Sequence, residues 1–218
     1  METFDFGDGN GPVPAHQHPN GGGWVADTAH VDKSVYVGAD ARVFGTARVH
    51  GNAELYQPVQ VYGDAEVYGN AKVWGNAVVC GKAKIYDYAE VYGNAKIYDY
   101  AEVYGNAQVY GNAQVYGTAC LYADGMAYGN ARVFDNARIR DTAQIYGDAL
   151  VYGNAKVFDN TRIHGNARIY GNVTVSDYVR VCDNAEVGGD VALSGDTKVC
   201  GDAVLCVVVT PTMSSMEM

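Results

Sequence analysis

The side chains most capable of chemistry are basic and aromatic, and they concentrate in the second half of the chain. The candidate anion-binding residues are Arg132, Arg138, Arg140, Lys156, Arg162, Arg168, Arg180, Tyr146, Tyr152, Phe158 and His164. A local basic surface on an acidic protein favours a phosphate-bearing or carboxylate ligand. Because an Arg beside Tyr or Phe can clamp a nucleobase by stacking, these residues predict a small, nucleotide-like anion.

A second interpretation of the same cations stays open. No Glu occurs from 103 to 185, and the acidic residues of this stretch are Asp, such as Asp135, Asp141, Asp159, Asp177 and Asp183. Each Arg could pair with a neighbouring Asp as ordinary solvated surface. The first interpretation leaves the cations available to a ligand, whereas the second neutralises them.

The composition limits the classes of function. The chain has 218 residues, and 15 Lys and Arg against 25 Asp and Glu give a net charge of −10, which argues against a protein that neutralises duplex nucleic-acid phosphates. There is no apolar run of about 18 residues, and the first residues lack a basic, apolar leader. Five cysteines without CxxC spacing predict reduced thiols. We therefore expect a soluble cytoplasmic protein without a membrane or duplex nucleic-acid partner.

A six-residue repeat dominates the chain. The phrase Val-Tyr-Gly-Asn-Ala recurs, for example at 67–71 and 151–155. Stepping by six from Val25 to Leu205 gives 31 hexads, and the first position is Val, Ile or Leu in every hexad except the one at Ala127. The residue two positions earlier is small or apolar, and it is mostly Ala.

The repeat predicts short strands joined by tight corners. The aliphatic residue and the Ala two positions earlier have the same parity, so in a strand both point to one side. The Gly-Asn pair that follows suits a turn that needs a positive φ. Three such strands would close a triangular coil of 18 residues around a core of Val and Ala. Coils of this kind would stack in parallel at about 4.8 Å each.

This pattern resembles the hexapeptide repeat of left-handed parallel β-helix proteins over residues 25–206. The resemblance implies an all-β, left-handed triangular prism of about ten coils, as a single domain with an N-terminal capping segment at 1–24 and a C-terminal tail at 207–218. Prisms of this family commonly form trimers, and its members include acyltransferases and zinc carbonic anhydrases. The chain departs from the family in one slot, because the position after the aliphatic residue is usually small there and is usually Tyr here.

Of the 18 tyrosines, 14 occupy this slot, and a coil of 18 residues sorts the slot into three columns. The first column is Phe44, Tyr62, Cys80, Tyr98, Tyr116, Phe134, Tyr152 and Tyr170. The second is His50, Tyr68, Tyr86, Tyr104, Tyr122, Arg140 and Phe158. The third is Tyr56, Trp74, Tyr92, Tyr110, Tyr128, Tyr146, His164, Cys182 and Cys200. Stacked aromatic side chains stiffen a parallel sheet, and they could also form subunit interfaces or platforms for planar ligands.

Charged residues between Ala and the aliphatic residue predict the register. Opposite charges alternate in two columns, Arg48, Glu66, Lys84 and Glu102 in one, and Glu54, Lys72 and Glu90 in the other. A slip of one coil would stack like charges on one another, which is unfavourable. We therefore interpret these charges as structural.

Two places deviate from the pattern. The hexad at 123–128 turns Gly125 and Ala127 inward, so either a bulge brings Met126 inside to refill the space or the hexad is a tolerated packing defect. Cys182 and Cys200 fall one coil apart, close enough for a bond. We expect two free thiols there because the compartment predicted above is reducing.

The ends of the repeat need protection, because an open coil offers unpaired backbone groups. Phe4, Phe6 and Trp24 could cover the first coil. The segment at 11–24, GPVPAHQHPNGGGW, resembles the leader of hexapeptide-repeat proteins from phages and prophages. Residues 207–211 would finish the last coil.

Catalysis is not expected. The related acyltransferases carry an extruded loop with a catalytic His, and no insertion interrupts this repeat. The related carbonic anhydrases need three His ligands, but His30, His50 and His164 fall in distant coils. His16 and His18 alone are too few for a metal site, so we expect no metal and no cofactor.

The sequence thus predicts a non-catalytic, phage-encoded binding protein. It would capture a small nucleotide-like anion in clefts between the prisms of a homotrimer, and so sequester a host defence signal. A structural rod, virion or scaffold protein is one alternative, and a hexapeptide-repeat acyltransferase is another.

Overall fold

The chain folds as an all-β parallel solenoid of about ten coils. The computed structural model describes residues 2–56 and 58–207. Nearly every hexad contributes one two-residue strand, and the strands form three sheets along the three sides of the coil. The predicted parallel β-solenoid is therefore confirmed. No helix among the described residues is long and apolar enough to cross a membrane.

The strands are distributed over the sheets in a fixed rotation. Sheet 1 contains Thr3–Phe4, Val13–Gln17, Trp24–Ala26, Arg42–Val43, Gln60–Val61, Val78–Val79, Lys96–Ile97, Gln114–Val115, Arg132–Val133, Leu150–Val151, Arg168–Ile169, Glu186–Gly189 and Val204–Val207. Sheet 2 contains His30–Val31, Arg48–Val49, Glu66–Val67, Lys84–Ile85, Glu102–Val103, Cys120–Leu121, Arg138–Ile139, Lys156–Val157, Thr174–Val175 and Ala192–Leu193. Sheet 3 contains Tyr36–Val37, Glu54–Leu55, Lys72–Val73, Glu90–Val91, Gln108–Val109, Met126–Ala127, Gln144–Ile145, Arg162–Ile163, Arg180–Val181 and Lys198–Val199.

Each coil pairs with the next in a register of 18 residues. Val67 lies between Val49 on one side and Ile85 on the other, and the backbone N–H of Tyr68 donates to the carbonyl of Ile85 at 2.9 Å. The charged columns follow this register, since Glu66 lies between Arg48 and Lys84. Residues 18 apart therefore stand directly above one another on the surface.

The core consists of the two inward columns of each sheet. Ala65 and Val67 are fully buried, and the same holds for nearly every Ala and aliphatic residue in these positions. Thr161 replaces an inward Ala, and its hydroxyl donates to the Phe158 carbonyl at 2.8 Å, which satisfies the buried polar group. Within the described coils the inner positions hold no charged side chain, so the charged candidates lie on the outer surface.

The corners use the left-handed region of φ, as the Gly-Asn pairs predict. Gly69 has a φ of 72°, and Asp87 one coil further has a φ of 60°. The Asp corners gain a compensating contact, because the Asp87 carboxylate accepts a hydrogen bond from the Gly105 N–H of the next coil at 3.2 Å. Asp99 accepts in the same way from the Gly117 N–H at 3.2 Å.

Amide side chains bind one another along the edges of the solenoid. The Asn94 amide donates to the Asn112 amide oxygen at 3.0 Å, and Asn112 donates in turn to Asn130 at 2.9 Å. An amide carries both a donor and an acceptor, so a column of identical Asn residues satisfies itself. These chains reinforce the same register as the backbone.

The irregular hexad keeps this register. Met126 pairs with Gln108 and Gln144, and Ala127 beside it is fully buried. Met126 lies on the outer face, so a bulge that turns it inward is wrong. The small Gly125 and Ala127 occupy the inner positions because continuous backbone pairing on both sides holds the strand in place.

The cysteine expectation also needs correction. Cys182 and Cys200 form a disulfide, with Cα atoms 4.6 Å apart, so the prediction of two free thiols is wrong. The reason is the register, because the stacking distance of adjacent coils lies at the short end of the Cα separation that a disulfide spans. Cys80, Cys120 and Cys206 are free.

The N-terminal segment adds antiparallel strands to sheet 1. Thr3–Phe4 pairs with Val13–Gln17, which pairs with Trp24–Ala26. The Phe4 ring stacks on Trp24 with centroids 4.4 Å apart, and Phe6 stacks on Phe44 at 4.9 Å. At the other end, Val207 closes the last strand, and the rest of the predicted 207–211 segment lies outside the described residues.

The corner geometry yields a testable order of stabilities. A Cβ at Gly111 would lie 3.0 Å from the Gly129 backbone nitrogen, at a φ of +71°. We expect Gly111→Ala to lower the free energy of unfolding by about 1–3 kcal/mol. Gly111→Asp should lose roughly 1 kcal/mol less, because its carboxylate can accept from the Gly129 N–H as the native Asp corners do. Urea unfolding measures both, and an Asp variant less stable than the Ala variant would contradict this account of the corners.

Candidate anion-binding site

Aromatic ladders run along all three sheets. In the column beside sheet 2, the rings of Tyr68 and Tyr86 stack with centroids 4.9 Å apart and an interplanar angle of 2°. In the column beside sheet 3, Tyr110 and Tyr128 stack at 4.8 Å and 1°. Such spacing matches the rise of one coil, so the ladders follow directly from the register.

The aromatic ladder beside sheet 2 is interrupted at Arg140. The ring of Tyr122 stacks on Tyr104 at 5.0 Å, and Arg140 takes the place of the next ring. Its guanidinium carbon lies 4.2 Å from the centroid of the Phe158 ring, and its Nη1 donates to the Asp141 carboxylate at 2.8 Å. The two contacts hold the guanidinium against Phe158.

This change opens a small cavity. Its volume is about 170 Å³, and its lining residues are Tyr122, Arg138, Arg140, Lys156 and Phe158. Four of these five residues are candidates named from the sequence. We refer to this group of five residues as the sheet 2 pocket.

Two cations of the sheet 2 pocket lack a partner. Arg138 and Lys156 are direct neighbours in register, and both are exposed. Within the part of the chain that the structure describes, neither side chain forms a salt bridge or a hydrogen bond. Like charges opposite one another in a sheet are unfavourable, so an anion between them would relieve repulsion as well as form hydrogen bonds.

The other candidates lie on different sheets. Arg132 and Arg168 belong to sheet 1 and are separated by Leu150, with Tyr152 in the ladder beside them. Sheet 3 holds Arg162 and Arg180, with Tyr146 and His164 stacked at 4.8 Å in its ladder. The predicted basic surface is therefore three separate groups.

Among the candidate cations, one forms a salt bridge with a corner aspartate. Arg140 binds Asp141, whereas Arg168 binds Glu186 at 3.3 Å. The carboxylate of Asp135 accepts instead from the Gly153 backbone N–H at 3.1 Å. Asp159, Asp177 and Asp183 likewise accept from backbone N–H groups. Among the described residues no other candidate cation forms a salt bridge with a corner aspartate, so the second interpretation holds for Arg140 alone.

Larger cavities exist, but their chemistry is different. One of about 640 Å³ lies between Tyr56 and Trp74, and its Lys72 and Glu90 carry opposite charges. Another of about 420 Å³ lies beside Phe6 in the N-terminal segment and carries an Asp with no cation. We favour the sheet 2 pocket because it alone among these three gathers several cations beside aromatic rings.

Burial favours the protonated forms of Tyr104 and Cys120, which lie next to the sheet 2 pocket. Burial raises the pKa of Tyr104, and the charges of Cys120 and Tyr122 add to this shift. Burial also raises the pKa of the Cys120 thiol, one coil before Arg138. Neither group adds negative charge near the sheet 2 pocket at neutral pH, so the pocket stays cationic.

The described residues contain one cluster with metal-ligand chemistry. Donor atoms of Cys182, Asp183 and Cys200 lie within 4.8 Å of one another, but the disulfide removes both thiolates that a metal would need. The two histidines of the N-terminal segment, which by the sequence are too few for a metal site, have other contacts. His16 binds Asp27 at 2.9 Å, while the buried His18 contacts the Asn20 backbone through Nδ1.

Sequence reasoning missed Tyr122 as a site residue. Its signal was present, because Tyr122 precedes Arg140 by 18 positions and so lies one coil below it in the same column. Choosing candidates by sequence proximity gathered cations from three sheets. A choice by steps of 18 would have selected Tyr122, Arg140 and Phe158 together.

The fold defines a parallel β-solenoid protein with a cationic, aromatic pocket on one sheet. Comparison with family models finds the YdcK beta solenoid repeat over residues 143–157 and 167–183. A search of curated proteins finds no match to the chain. The family match therefore supports the solenoid class, over segments that include Lys156 and Arg168.

The ladders predict a loss of stability in alkali. A hydrogen bond with Cys80 raises the pKa of Tyr62 to about 12, and burial raises the pKa of Tyr86. Since the unfolded value is about 10, the folded state holds these protons longer, and this stabilisation is complete below pH 10 and lost as the pH rises towards 12. We expect Tm to fall across this interval by circular dichroism, and to fall less in Tyr62→Phe. A Tm that stays constant or rises over this interval would contradict the raised pKa values of the ladder tyrosines Tyr62 and Tyr86.

The disulfide predicts a reductant-sensitive stability. It closes a loop of 18 residues, for which loss of the cross-link costs about 3 kcal/mol. Dithiothreitol should lower the free energy of unfolding of the native chain by about this amount and leave Cys200→Ser unchanged. Cys120→Ser, which removes a free thiol, is the matched control and should keep the full response. A native chain indifferent to reductant would show that the bond does not form.

Proposed function

We propose that the chain is a non-catalytic binding protein that holds a small anionic, nucleotide-like ligand at the sheet 2 pocket. The observation that carries this proposal is the neighbouring pair Arg138 and Lys156, which lacks a carboxylate partner in the described residues and adjoins Arg140 on Phe158. This combination offers both cations and π surfaces within one small cavity.

The phosphate would lie between the two unpaired cations. Strands of neighbouring coils are about 4.8 Å apart, so both long side chains can reach one phosphate group. Hydrogen bonds between charged groups contribute roughly 1.5–3 kcal/mol each. The phosphate would also separate two like charges that otherwise repel one another.

The planar part of the ligand would lie against the interrupted ladder. Tyr122 has a ring partner on one side only, at Tyr104, among the described residues. Arg140 is already oriented by Asp141 and Phe158, so it loses little side-chain freedom when a flat ring stacks against it. These contacts favour a nucleotide over inorganic phosphate.

The resemblance to phage hexapeptide-repeat proteins extends the proposal to a biological role. A phage protein that binds a host defence nucleotide without converting it would lower the free concentration of that signal. The homotrimer that the resemblance implies would place such a site in a cleft between prisms. All five pocket residues come from one chain, so our proposal does not depend on that assembly.

A structural rod is the second candidate, and the ladders favour it. Stacked rings run without a break from Trp74 to His164 beside sheet 3, which is typical of a stiff spacer. Filaments or ordered arrays in electron micrographs, together with no ligand binding, would favour the rod. Discrete particles with a bound nucleotide would favour the binding protein.

The binding proposal is tested with a nucleotide panel. We expect a mono- or dinucleotide to raise Tm and to bind in calorimetry more tightly than inorganic phosphate. Arg138→Gln with Lys156→Gln should weaken binding by about 100-fold, because two charged hydrogen bonds are lost. The matched control is Lys96→Gln with Arg132→Gln, which removes the same charge from sheet 1 and should bind normally. Equal weakening by both double variants would show that binding depends on net charge and not on the sheet 2 pocket. No binding by any nucleotide would refute the proposal.

A further inference from the structure

Sheet 3 collects uncompensated cations at one end of the solenoid. From the N-terminal end, its outward column is Tyr36, Glu54, Lys72, Glu90, Gln108, Met126, Gln144, Arg162, Arg180 and Lys198. In the first half two glutamates flank one lysine, three uncharged residues form the middle, and three consecutive cations form the last part. Only this last part departs from the alternation of Arg48, Glu66 and Lys84 on sheet 2.

The three cations stand in direct register without compensation. Arg180 pairs with Arg162 on one side and Lys198 on the other, and all three are exposed. In the described ranges, none of them forms a salt bridge or a side-chain hydrogen bond. Like charges opposite one another destabilise a sheet, so this column gains from an acidic surface placed against it.

The same face is long and flat enough for a protein partner. Ten coils at about 4.8 Å give a length near 48 Å, and strands of about four residues give a width near 13 Å. The projected area is on the order of 600 Å², close to the roughly 800 Å² of accessible surface that each partner buries in a standard interface. The stacked ladder from Trp74 to His164 supplies a continuous aromatic border.

We propose that sheet 3 is the interface of an antiparallel homodimer whose two-fold axis passes beside Met126, in place of the homotrimer that the family resemblance implies. Antiparallel packing lays the half of one copy that carries both glutamates on the cationic half of the other. Arg162 then faces Glu90 of the second copy, and Lys198 faces Glu54. Met126 meets its own counterpart, and the two-fold axis repeats each contact, as an isologous interface requires.

The charges select this register. Because the two glutamates are two coils apart, only one antiparallel register gives both of them a cation from Arg162, Arg180 and Lys198. Arg180 then faces Lys72, whose Nζ lies 3.5 Å from the Glu54 carboxylate of its own chain, and both glutamates of the second copy lie on diagonals from Arg180. Parallel packing would instead bring the cationic ends of both copies together. The sheet 2 pocket lies on another side of the coil and stays open.

The assembly is tested by mass and charge reversal. We expect light scattering to give twice the 23.3 kDa chain mass, with a dimer dissociation constant that rises with salt. Glu90→Arg should raise that constant about 10-fold or more, and so should Arg162→Glu. The two changes together restore opposite charges across the interface and should return the constant to within about 3-fold of the native value. Glu102→Arg on sheet 2 makes the same charge change and should leave the dimer intact.

A cysteine scan tests the register. In a Cys80→Ser, Cys120→Ser, Cys206→Ser background, Met126→Cys should form a covalent dimer when oxidised glutathione is added. Gln108→Cys should not, because its own counterpart lies two coils away, about 10 Å, beyond disulfide reach. A folded monomer, a trimer, or a dimer insensitive to Glu90→Arg would overturn the proposal. Cross-linking through Gln108→Cys in place of Met126→Cys would overturn the register. A monomer that binds polyphosphate along this column would overturn the dimer itself.

Discussion

The rest of the structure depends on backbone pairing at a constant step of 18 residues. Backbone N–H groups of outward residues donate to carbonyls of the next coil, as Tyr68 does to Ile85. A slip of one residue would turn every inward Val outward, so the hydrophobic core and the hydrogen bonds enforce the same register. With this step fixed, every outward side chain has one neighbour above and one below, and those neighbours are readable from the sequence.

Stacking of equivalent positions favours some side chains and penalises others. Tyr68 on Tyr86, or Asn94 on Asn112, gains from identity because rings stack and amides both donate and accept. Cations in adjacent coils repel one another, and the first half of the chain avoids this repulsion by alternating positive and negative residues along the columns of sheets 2 and 3. The unpaired cation columns on sheets 2 and 3 are therefore the places where the solenoid departs from its own rule, and such departures are expected at functional surfaces.

The sequence predicted the fold well because one repeat determines both periodicity and core. It predicted the site less well. Seven cations within fifty residues suggest one surface, but only residues separated by multiples of 18 share a column, and these seven belong to three sheets. At Met126 the sequence left two alternatives open, and pairing with the adjacent coils selects the tolerated packing defect. The expectation of free thiols at Cys182 and Cys200 is wrong because it rested on the compartment, while pairing of adjacent coils brings the two residues together. The contact of Arg140 with Asp141 and Phe158 depends on a side-chain rotamer, which periodicity does not encode.

The two cation groups differ in what surrounds them, and this difference points to different partners. On sheet 2 the pair Arg138 and Lys156 adjoins a break in the ladder, where a ring and a guanidinium close a cavity too small for a protein surface. On sheet 3 Arg162 lies beside the end of the ladder at His164, Arg180 and Lys198 lie beside the Cys182–Cys200 disulfide, and both glutamates lie four or more coils away on the same face. A small anion can satisfy the first group within one chain. The second needs a partner as long as the solenoid itself, and a second copy in the opposite direction carries the complementary charges.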